Sequence, residues 1–140
     1  MSAMMEAAER IVRGESPGPP VAQLIGFTLT HVESGRAVIE LEAGTRHHNP
    51  MGTVHGGVLC DIADAAMGIA YSSTLGEGET FTTVELKVNF LKQVREGKLR
   101  AEGHVVNGGR TLGLVECDVT DEEGRLVARA SSTCMTLQVR

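Results

Sequence analysis

The sequence predicts an α+β fold in which a curved antiparallel β-sheet wraps around one long central α-helix, with a short helix at the N-terminus. Residues 56–73 are the one long segment whose apolar side chains recur at helical spacing. Its remaining faces are also small or apolar, so the helix should be buried on nearly all sides. The segments around it alternate apolar and polar residues, as antiparallel strands with one solvated face do. A sheet wrapped on the helix is the economical way to bury both.

The elements before the central helix follow from local patterns and turn residues. Residues 4–13 read as a short helix that the glycine- and proline-rich stretch 14–20 ends. Residues 26–42 alternate as two strands, and a polar, glycine-containing turn at 33–36 makes them a hairpin. Residues 43–54 have no periodicity and contain proline and glycine, which indicates a loop. Loops placed by a rigid scaffold often carry functional residues.

Four further strands are expected after the helix, at residues 80–91, 98–106, 111–120 and 126–137. The intervals between them are short, which predicts an antiparallel meander in which each strand pairs with the next. We expect residues 1–20 to form an N-terminal helix and proline-rich lead-in, and residues 21–140 to form a single domain.

Composition and charge exclude several classes of function. The 140 residues carry a net charge of −5, and aromatic residues make up only 3%. A general nucleic-acid or anionic-membrane binder needs a basic stripe, and the sequence has none. No apolar run of about 18 residues that could span a membrane occurs, and the N-terminus does not resemble a signal peptide. Cys60, Cys117 and Cys134 are interpreted as buried free thiols of a reducing compartment, so a cytoplasmic location is expected.

Two carboxylates interrupt the apolar central helix. Asp64 lies near its middle, where an ionised group needs a partner or a function because burial of an isolated charge is costly. An ordinary structural role, such as an ion pair with an arginine, remains open for Asp64. Asp61 is nearer the helix start, where the helix dipole favours a negative charge, and is interpreted as structural.

His55, Gly56 and Gly57 lie at the junction between loop and helix. Two glycines allow a ligand to approach the backbone closely and leave N–H groups exposed at the positive end of the helix dipole. Such an end can bind an anion or polarise a carbonyl oxygen. A tight turn would explain the two glycines equally well. The combination with a histidine beside them and a carboxylate along the helix points to a site.

Helix geometry predicts how such a site is assembled. Gly56 and Asp64 are eight residues apart, or about 12 Å at 1.5 Å per residue. A base and an oxyanion donor must both reach about 3 Å from one reacting group. One copy of the helix cannot easily place both, whereas two antiparallel copies about a twofold axis can. If Gly56 and Asp64 act together, the protein must therefore be a dimer with shared sites. Dimers with twofold symmetry are the commonest oligomers.

The sequence lacks the motifs of several other common catalytic and binding sites. His47, His48 and His55 do not have metal-ligand spacing, so no metal site is expected. The sequence contains neither the G-x-S-x-G motif of serine hydrolases nor a phosphate-binding loop. Arg110 follows two glycines in a predicted hairpin turn, where it is either a solvated turn residue or a contact for ligand phosphates.

One constellation has a recognisable spacing: Asn49, then His55-Gly-Gly six residues on, then Asp64 nine residues after the histidine. This run resembles the hotdog-fold acyl-CoA thioesterases of the 4-hydroxybenzoyl-CoA thioesterase-like superfamily, and is most similar to the phenylacetate-degradation subgroup. The resemblance continues through Thr83, Asn89 and the turn before Thr111, and covers about residues 21–137. It implies the hotdog fold, thioester hydrolysis of an acyl-CoA or aryl-CoA without a cofactor, and a homodimer; dimers commonly pair again into tetramers in this family, and the sequence leaves open which of the two states this chain adopts.

The resemblance also implies roles for individual residues. Asp64 would activate water or attack the thioester carbonyl directly, and the Gly56 N–H would polarise that carbonyl from the helix end. Asn49 and His55 would orient the thioester, and Thr83 would position water beside the carboxylate. Four further residues are candidates for substrate binding: Gly57, Asn89, Arg110 and Thr111.

Two rival interpretations remain at this level. A hotdog dehydratase or hydratase uses a histidine and an acidic residue in differently spaced motifs, which this sequence does not resemble. A non-enzymatic acyl-CoA-binding protein would keep the fold without turnover. Because the set from Asn49 to Asp64 is intact, hydrolysis is favoured over both.

Overall fold

The computed structural model describes residues 2–139. The predicted segments 1–20 and 21–140 begin with Met1 and end with Arg140, and these two residues lie outside the described range. A six-stranded antiparallel sheet wraps around a long helix, as the sequence predicts. The helices are α1 (Ala3–Val12), α2 (Pro20–Ile25) and α3 (Gly56–Ser72), with a short 3-10 turn at Thr45–His47. The strands are β1 (Phe27–Glu33), β2 (Arg36–Ala43), β3 (Glu79–Phe90), β4 (Gly97–Gly108), β5 (Leu112–Thr120) and β6 (Leu126–Gln138).

Helix α3 lies against the inner face of the sheet and forms the centre of the core. Its side chains Ile62 and Ala66 have no solvent exposure, as the helical spacing predicts, and Met67 outside that stripe has none either. Gly103 of β4 makes the contact with the sheet possible, because a Cβ there would lie 2.7 Å from the backbone of Ala66. Near the other end, the Tyr71 hydroxyl and Thr136 Oγ1 are 2.7 Å apart and form a hydrogen bond.

The hairpin of β1 and β2 confirms the predicted strand pair. Phe27 pairs with Leu41 and Glu33 with Arg36, in antiparallel register. The turn between the strands needs a left-handed backbone at Gly35, whose φ is 81°. Glycine adopts this conformation without the steric cost of a side chain.

The predicted meander is wrong for β3. The order in the sheet is β1-β2-β4-β5-β6-β3, so β4 pairs with β2 while β3 lies at the opposite edge and pairs with β6. Helix α3 carries the chain across the inner face of the sheet, and β3 therefore begins at the far edge. The six residues 91–96 can extend over about 20 Å, more than the roughly 14 Å of three strand spacings that they must cross. A short connection consequently does not require adjacent strands.

Helix α2 was not expected from the sequence. Proline fits the first turn of a helix because its missing N–H would have no partner there, and Pro20 occupies this position. The helix ends at Gly26, whose φ of 97° is left-handed and whose N–H donates to the carbonyl of Ala22. Six residues are too few for helical periodicity to appear in the sequence.

Two smaller expectations concern the cysteines and the membrane. All three cysteines are free; Cys117 and Cys134 are buried as predicted, whereas Cys60 is only half-buried. Burial raises the pKa of the Cys117 thiol to about 12. Within residues 2–139, none of the helices combines the length and the apolar character needed to cross a membrane.

Candidate active site

Asp64 lies in the middle of α3, and its half-buried carboxylate lines a cavity of about 680 Å³. The other walls come from α1, α2, β1 and the first part of β3, including Phe81 and Thr83. The cavity is mainly apolar. The expectation that the central helix carries Asp64 within its partly buried part is confirmed, and a catalytic role of this carboxylate stays a prediction.

The surroundings of Asp64 change its acidity. Burial raises the pKa of the Asp64 carboxyl, because a charged carboxylate loses hydration there. The Thr83 hydroxyl lowers this pKa by hydrogen bonding to the carboxylate, and the negative charge of Asp61, one helical turn away, raises it. Within residues 2–139, no arginine or lysine is among the groups that act on the pKa of Asp64. An ion pair with one of these residues is therefore not the explanation for its position.

The start of α3 presents the features expected of a helix N-terminus that binds a carbonyl oxygen. His55 is the N-cap, and its Nδ1 accepts a hydrogen bond of 2.9 Å from the N–H of Gly57. Because Nδ1 is the acceptor, the neutral ring carries its proton on Nε2 and can donate it outward. Among residues 2–139 no acceptor is found for the Gly56 N–H. Gly56 therefore supplies the open N–H, and Gly57 does not.

Gly56 and Asn49 line a second cavity, of about 380 Å³, together with Phe90 at the end of β3. The Phe90 ring packs directly over Gly56, since a Cβ at Gly56 would lie 3.1 Å from it. Phe90 itself is 54% exposed. No local pattern in the sequence indicates this contact, because the two residues meet only through the placement of β3 at the sheet edge.

The side chain of Asn49 shapes the loop before α3. Its Nδ2 donates to Thr53 Oγ1 at 2.9 Å, and its Oδ1 accepts from the N–H groups of Met51 and Thr53 at 2.9 and 3.1 Å. The carbonyl of the amide is thus engaged within the loop, while Nδ2 retains a second N–H. Any contact of Asn49 with a substrate would use that N–H.

The side chains of His47 and His48 hold the same loop in place through contacts with backbone groups. His47 is buried; its Nδ1 accepts from the Gly44 N–H, and its Nε2 lies 2.7 Å from the carbonyl oxygen of Ile25. The Nε2 of His48 lies 2.7 Å from the carbonyl oxygen of Arg95. No group of three histidine, cysteine or acidic side chains with metal-site geometry occurs in the described part of the chain.

The remaining predicted substrate-binding residues lie outside both cavities. Asn89 is exposed on β3, and it pairs with Arg129 of β6. Arg110 and Thr111 are exposed in the turn between β4 and β5, where the carbonyl of Thr111 accepts from the Thr136 N–H. The structure of one chain does not bring these three residues to Asp64 or to Gly56, and their role in binding stays a prediction.

The N-terminal segment contributes to the site in a way that the sequence did not predict. Ile11 of α1, Pro17 of the linker and Val21 of α2 all line the cavity that contains Asp64. Sequence periodicity cannot show which tertiary wall a short helix forms. The proline-rich stretch, expected only as a lead-in, is therefore part of the cavity wall.

Comparison with known proteins identifies related chains. The family model of the Thioesterase superfamily matches residues 51–128, more than half of the chain, and this range includes Gly56 and Asp64 of helix α3. The chain is 29% identical over 111 residues to a 1,4-dihydroxy-2-naphthoyl-CoA hydrolase of Listeria monocytogenes, covering 79% of this chain and 90% of the relative.

Two other matches agree with this family. The chain is 31% identical over 101 residues to a proofreading thioesterase of Klebsiella pneumoniae, covering 72% of this chain and 74% of that protein. A crystal structure of a phenylacetic acid degradation-related protein from Ralstonia eutropha is similar with a TM-score of 0.82 and 32% identity. The match covers 91% of this chain and 98% of the other.

Proposed function

This chain belongs to the thioesterase superfamily of thioester hydrolases, and we propose that it hydrolyses an acyl-CoA to the free acid and CoA at a site shared by two subunits. One observation carries the proposal: the acidic group and the open helix N–H line different cavities of the same chain. Names of similar proteins support CoA as the thiol, since one is a CoA-thioester hydrolase. A complete site then needs Asp64 of one subunit and Gly56 of the partner subunit.

Two unpartnered features of the chain support an antiparallel dimer. The face of α3 that points away from the sheet carries exposed or half-buried small and acidic residues, Gly57, Cys60, Asp61, Asp64 and Ala65. Strand β3 is an edge strand of twelve residues without proline, and unpaired edges of this kind readily pair with another chain. Leu86 and Phe90 of β3 are 37% and 54% exposed, and a partner would cover them.

Asp64 would act on the thioester in one of two ways. As a general base it takes a proton from water, the water oxygen adds to the carbonyl carbon, and the carbon–sulfur bond breaks to release the CoA thiolate. As a nucleophile its oxygen adds to the carbonyl carbon, the carbon–sulfur bond breaks to release the CoA thiolate, and water then hydrolyses the resulting anhydride to the free acid and Asp64. A raised pKa suits the base, because it makes the carboxylate a better proton acceptor. The Thr83 hydroxyl, which lines the same cavity as Asp64, would hold the water beside the carboxylate.

The start of α3 in the partner subunit would stabilise the negative charge that develops on the carbonyl oxygen. The open N–H of Gly56 lies at the positive end of the helix dipole and would donate a hydrogen bond to this oxygen. The Nε2–H of His55 would donate a second hydrogen bond, and the remaining amide N–H of Asn49 would help orient the thioester. No metal or cofactor is needed for these steps.

Several expectations stay predictions within this proposal. The pairing of dimers into tetramers, the cytoplasmic location and the binding of CoA by Asn89, Arg110 and Thr111 rest on the resemblance noted in the sequence. The alternative of an acyl-CoA-binding protein without turnover has no specific observation in its favour.

Replacement of Asp64 tests the catalytic assignment directly. Asp64→Asn keeps the size of the side chain and removes the base, so thiol release from acyl-CoA should fall by about 10²–10⁴-fold. Asp61→Asn is the matched control, because it removes a carboxylate from the same helix one turn away and should retain most of the activity. Wild-type activity in Asp64→Asn would refute the assignment.

A further inference from the structure

We infer that the cavity beside Asp64 is the acyl pocket and that it takes a plain aliphatic chain of medium or greater length, with the N-terminal segment as its far wall. The inference rests on the proposed function and specifies its substrate class. The acyl group would then be held by the subunit that supplies Asp64, while the CoA portion leaves past Gly56 of the partner subunit.

The size of the cavity favours a long acyl group. Its volume of about 680 Å³ lies within the range of roughly 300–1,000 Å³ that is typical of pockets for drug-sized ligands. An acetyl or butanoyl group would leave most of this apolar surface in contact with water. Each additional methylene that enters the pocket should therefore improve binding.

The chemistry of the lining favours a chain without polar substituents. Apart from Asp64 and Thr83, the polar side chains that line the cavity on α3 and in the N-terminal segment already donate to backbone carbonyls. Ser72 Oγ donates to the carbonyl of Ile69 at 2.9 Å, Ser16 Oγ to Pro17 at 3.2 Å and Gln23 Nε2 to Gly18 at 2.8 Å. No buried side-chain polar atom in residues 2–139 lacks a partner. A hydroxyl group carried into this pocket would lose hydrogen bonds to water, and the mainly apolar lining would replace them only in part, through Thr28 of β1 and the acceptor oxygens of these side chains.

The N-terminal segment supplies apolar surface that closes the cavity away from α3. Met4 and Ile11 of α1, Pro17 and Pro19 of the linker, and Val21 and Ala22 of α2 line it. Val21 is 49% exposed, so a larger side chain can be introduced there without a clash in the core. Leu24 of the same helix is 81% exposed and does not line the cavity. These two residues form a matched pair for an experiment.

The test measures kcat/KM by thiol release for acetyl-, butanoyl-, octanoyl-, dodecanoyl-, benzoyl- and 4-hydroxybenzoyl-CoA. For the unaltered protein we expect a gain of about three- to fourfold per added methylene from butanoyl to octanoyl. The hydroxybenzoyl substrate should be about tenfold poorer than benzoyl. Val21→Trp should reduce the dodecanoyl-to-acetyl ratio about tenfold, and Leu24→Trp should leave that ratio unchanged.

A flat dependence on chain length, a preference for hydroxybenzoyl-CoA, or equal ratios in Val21→Trp and Leu24→Trp would each overturn the inference. The chain-length series with the unaltered protein decides the matter even if Val21→Trp does not fold. Asp64→Asn separates the two levels of the proposal. Hydrolysis that depends on Asp64 but not on chain length would remove the pocket assignment alone, whereas hydrolysis that is independent of Asp64 would remove the proposed function.

Discussion

Gly56 and Asp64 are carried by the same helix and line two different cavities. Their eight-residue separation corresponds to about 12 Å along α3, too far for both to contact one reacting carbonyl. The open N–H of Gly56 and the half-buried carboxylate of Asp64 are each suited to thioester hydrolysis. Each chain is therefore expected to contribute two different halves to two active sites.

The pH dependence of activity should report the environment of Asp64. A base must be ionised, and burial raises the pKa of Asp64, so kcat/KM should fall on acidification at a higher pH than an ordinary aspartate with a pKa near 3.9 would give. Asp61→Asn removes a charge that raises this pKa. It should therefore move the acidic limb of the pH profile, the range in which kcat/KM falls on acidification, to lower pH. Thr83→Val removes the hydrogen bond that lowers it and should move the limb to higher pH.

The two shifts are opposite in sign, which separates them from a general loss of activity. Measurement of kcat/KM against pH for the three proteins gives the position of the limb independently of its plateau. Identical limbs, or shifts in the same direction, would show that Asp64 does not control the reaction.

Gly103→Ala should destabilise the fold. The added Cβ would lie 2.7 Å from the backbone of Ala66, and neither the strand nor the helix can yield without losing core packing. A cost of about 1–3 kcal/mol is expected for such overpacking. Gly44→Ala is the control, since no atom lies within 4 Å of the position of its Cβ and its φ is extended. Denaturant unfolding at one fixed protein concentration measures both, and equal midpoints would contradict the packing described for α3.

The sequence contained enough information for the central helix and for the hairpin. The apolar spacing around Ile62 and Ala66, and the turn at Gly35, are local patterns that the fold uses directly. The pairing of β3 with β6 was mispredicted because strand order depends on where α3 delivers the chain, and no local pattern records this. Helix α2 was missed, although Pro20 and Gly26 are the residues expected at the start and end of a helix.

For the candidate site, local sequence indicated some residues and not others. Spacing alone predicts that Gly56 and Asp64 of one chain cannot reach the same reacting group, whereas the role of Thr83 is a prediction that rests on resemblance to a family. The cavity wall formed by Ile11 and Val21, and the Phe90 ring over Gly56, are contacts between distant segments. Such contacts follow from tertiary packing and have no signature in the order of residues.

The N–H of Gly56 can be removed without removing the helix. Proline is favoured at the first helical position, and His55 before it already has the extended backbone, with φ −62° and ψ 136°, that a following proline requires. Gly56→Pro should reduce kcat by about 10²–10³-fold, as expected for loss of one oxyanion donor. Gly56→Ala is the matched control, because it makes the same new contact with Phe90 but keeps the N–H, and it should remain far more active. If kcat fell equally in Gly56→Pro and Gly56→Ala, the loss would come from the new contact with the Phe90 ring and not from removal of the N–H.

The most direct test of the shared site is complementation between two inactive variants. Asp64→Asn and Gly56→Pro are denatured together, refolded as a mixture, and compared with each variant refolded alone. Random pairing makes half of the dimers mixed, and one of the two sites in each mixed dimer combines an intact Asp64 with an intact Gly56. The account predicts thiol release of about a quarter of the wild-type value in the mixture, and almost none from either variant alone. A mixture no more active than its components, with subunit exchange verified by differently tagged chains, would contradict it.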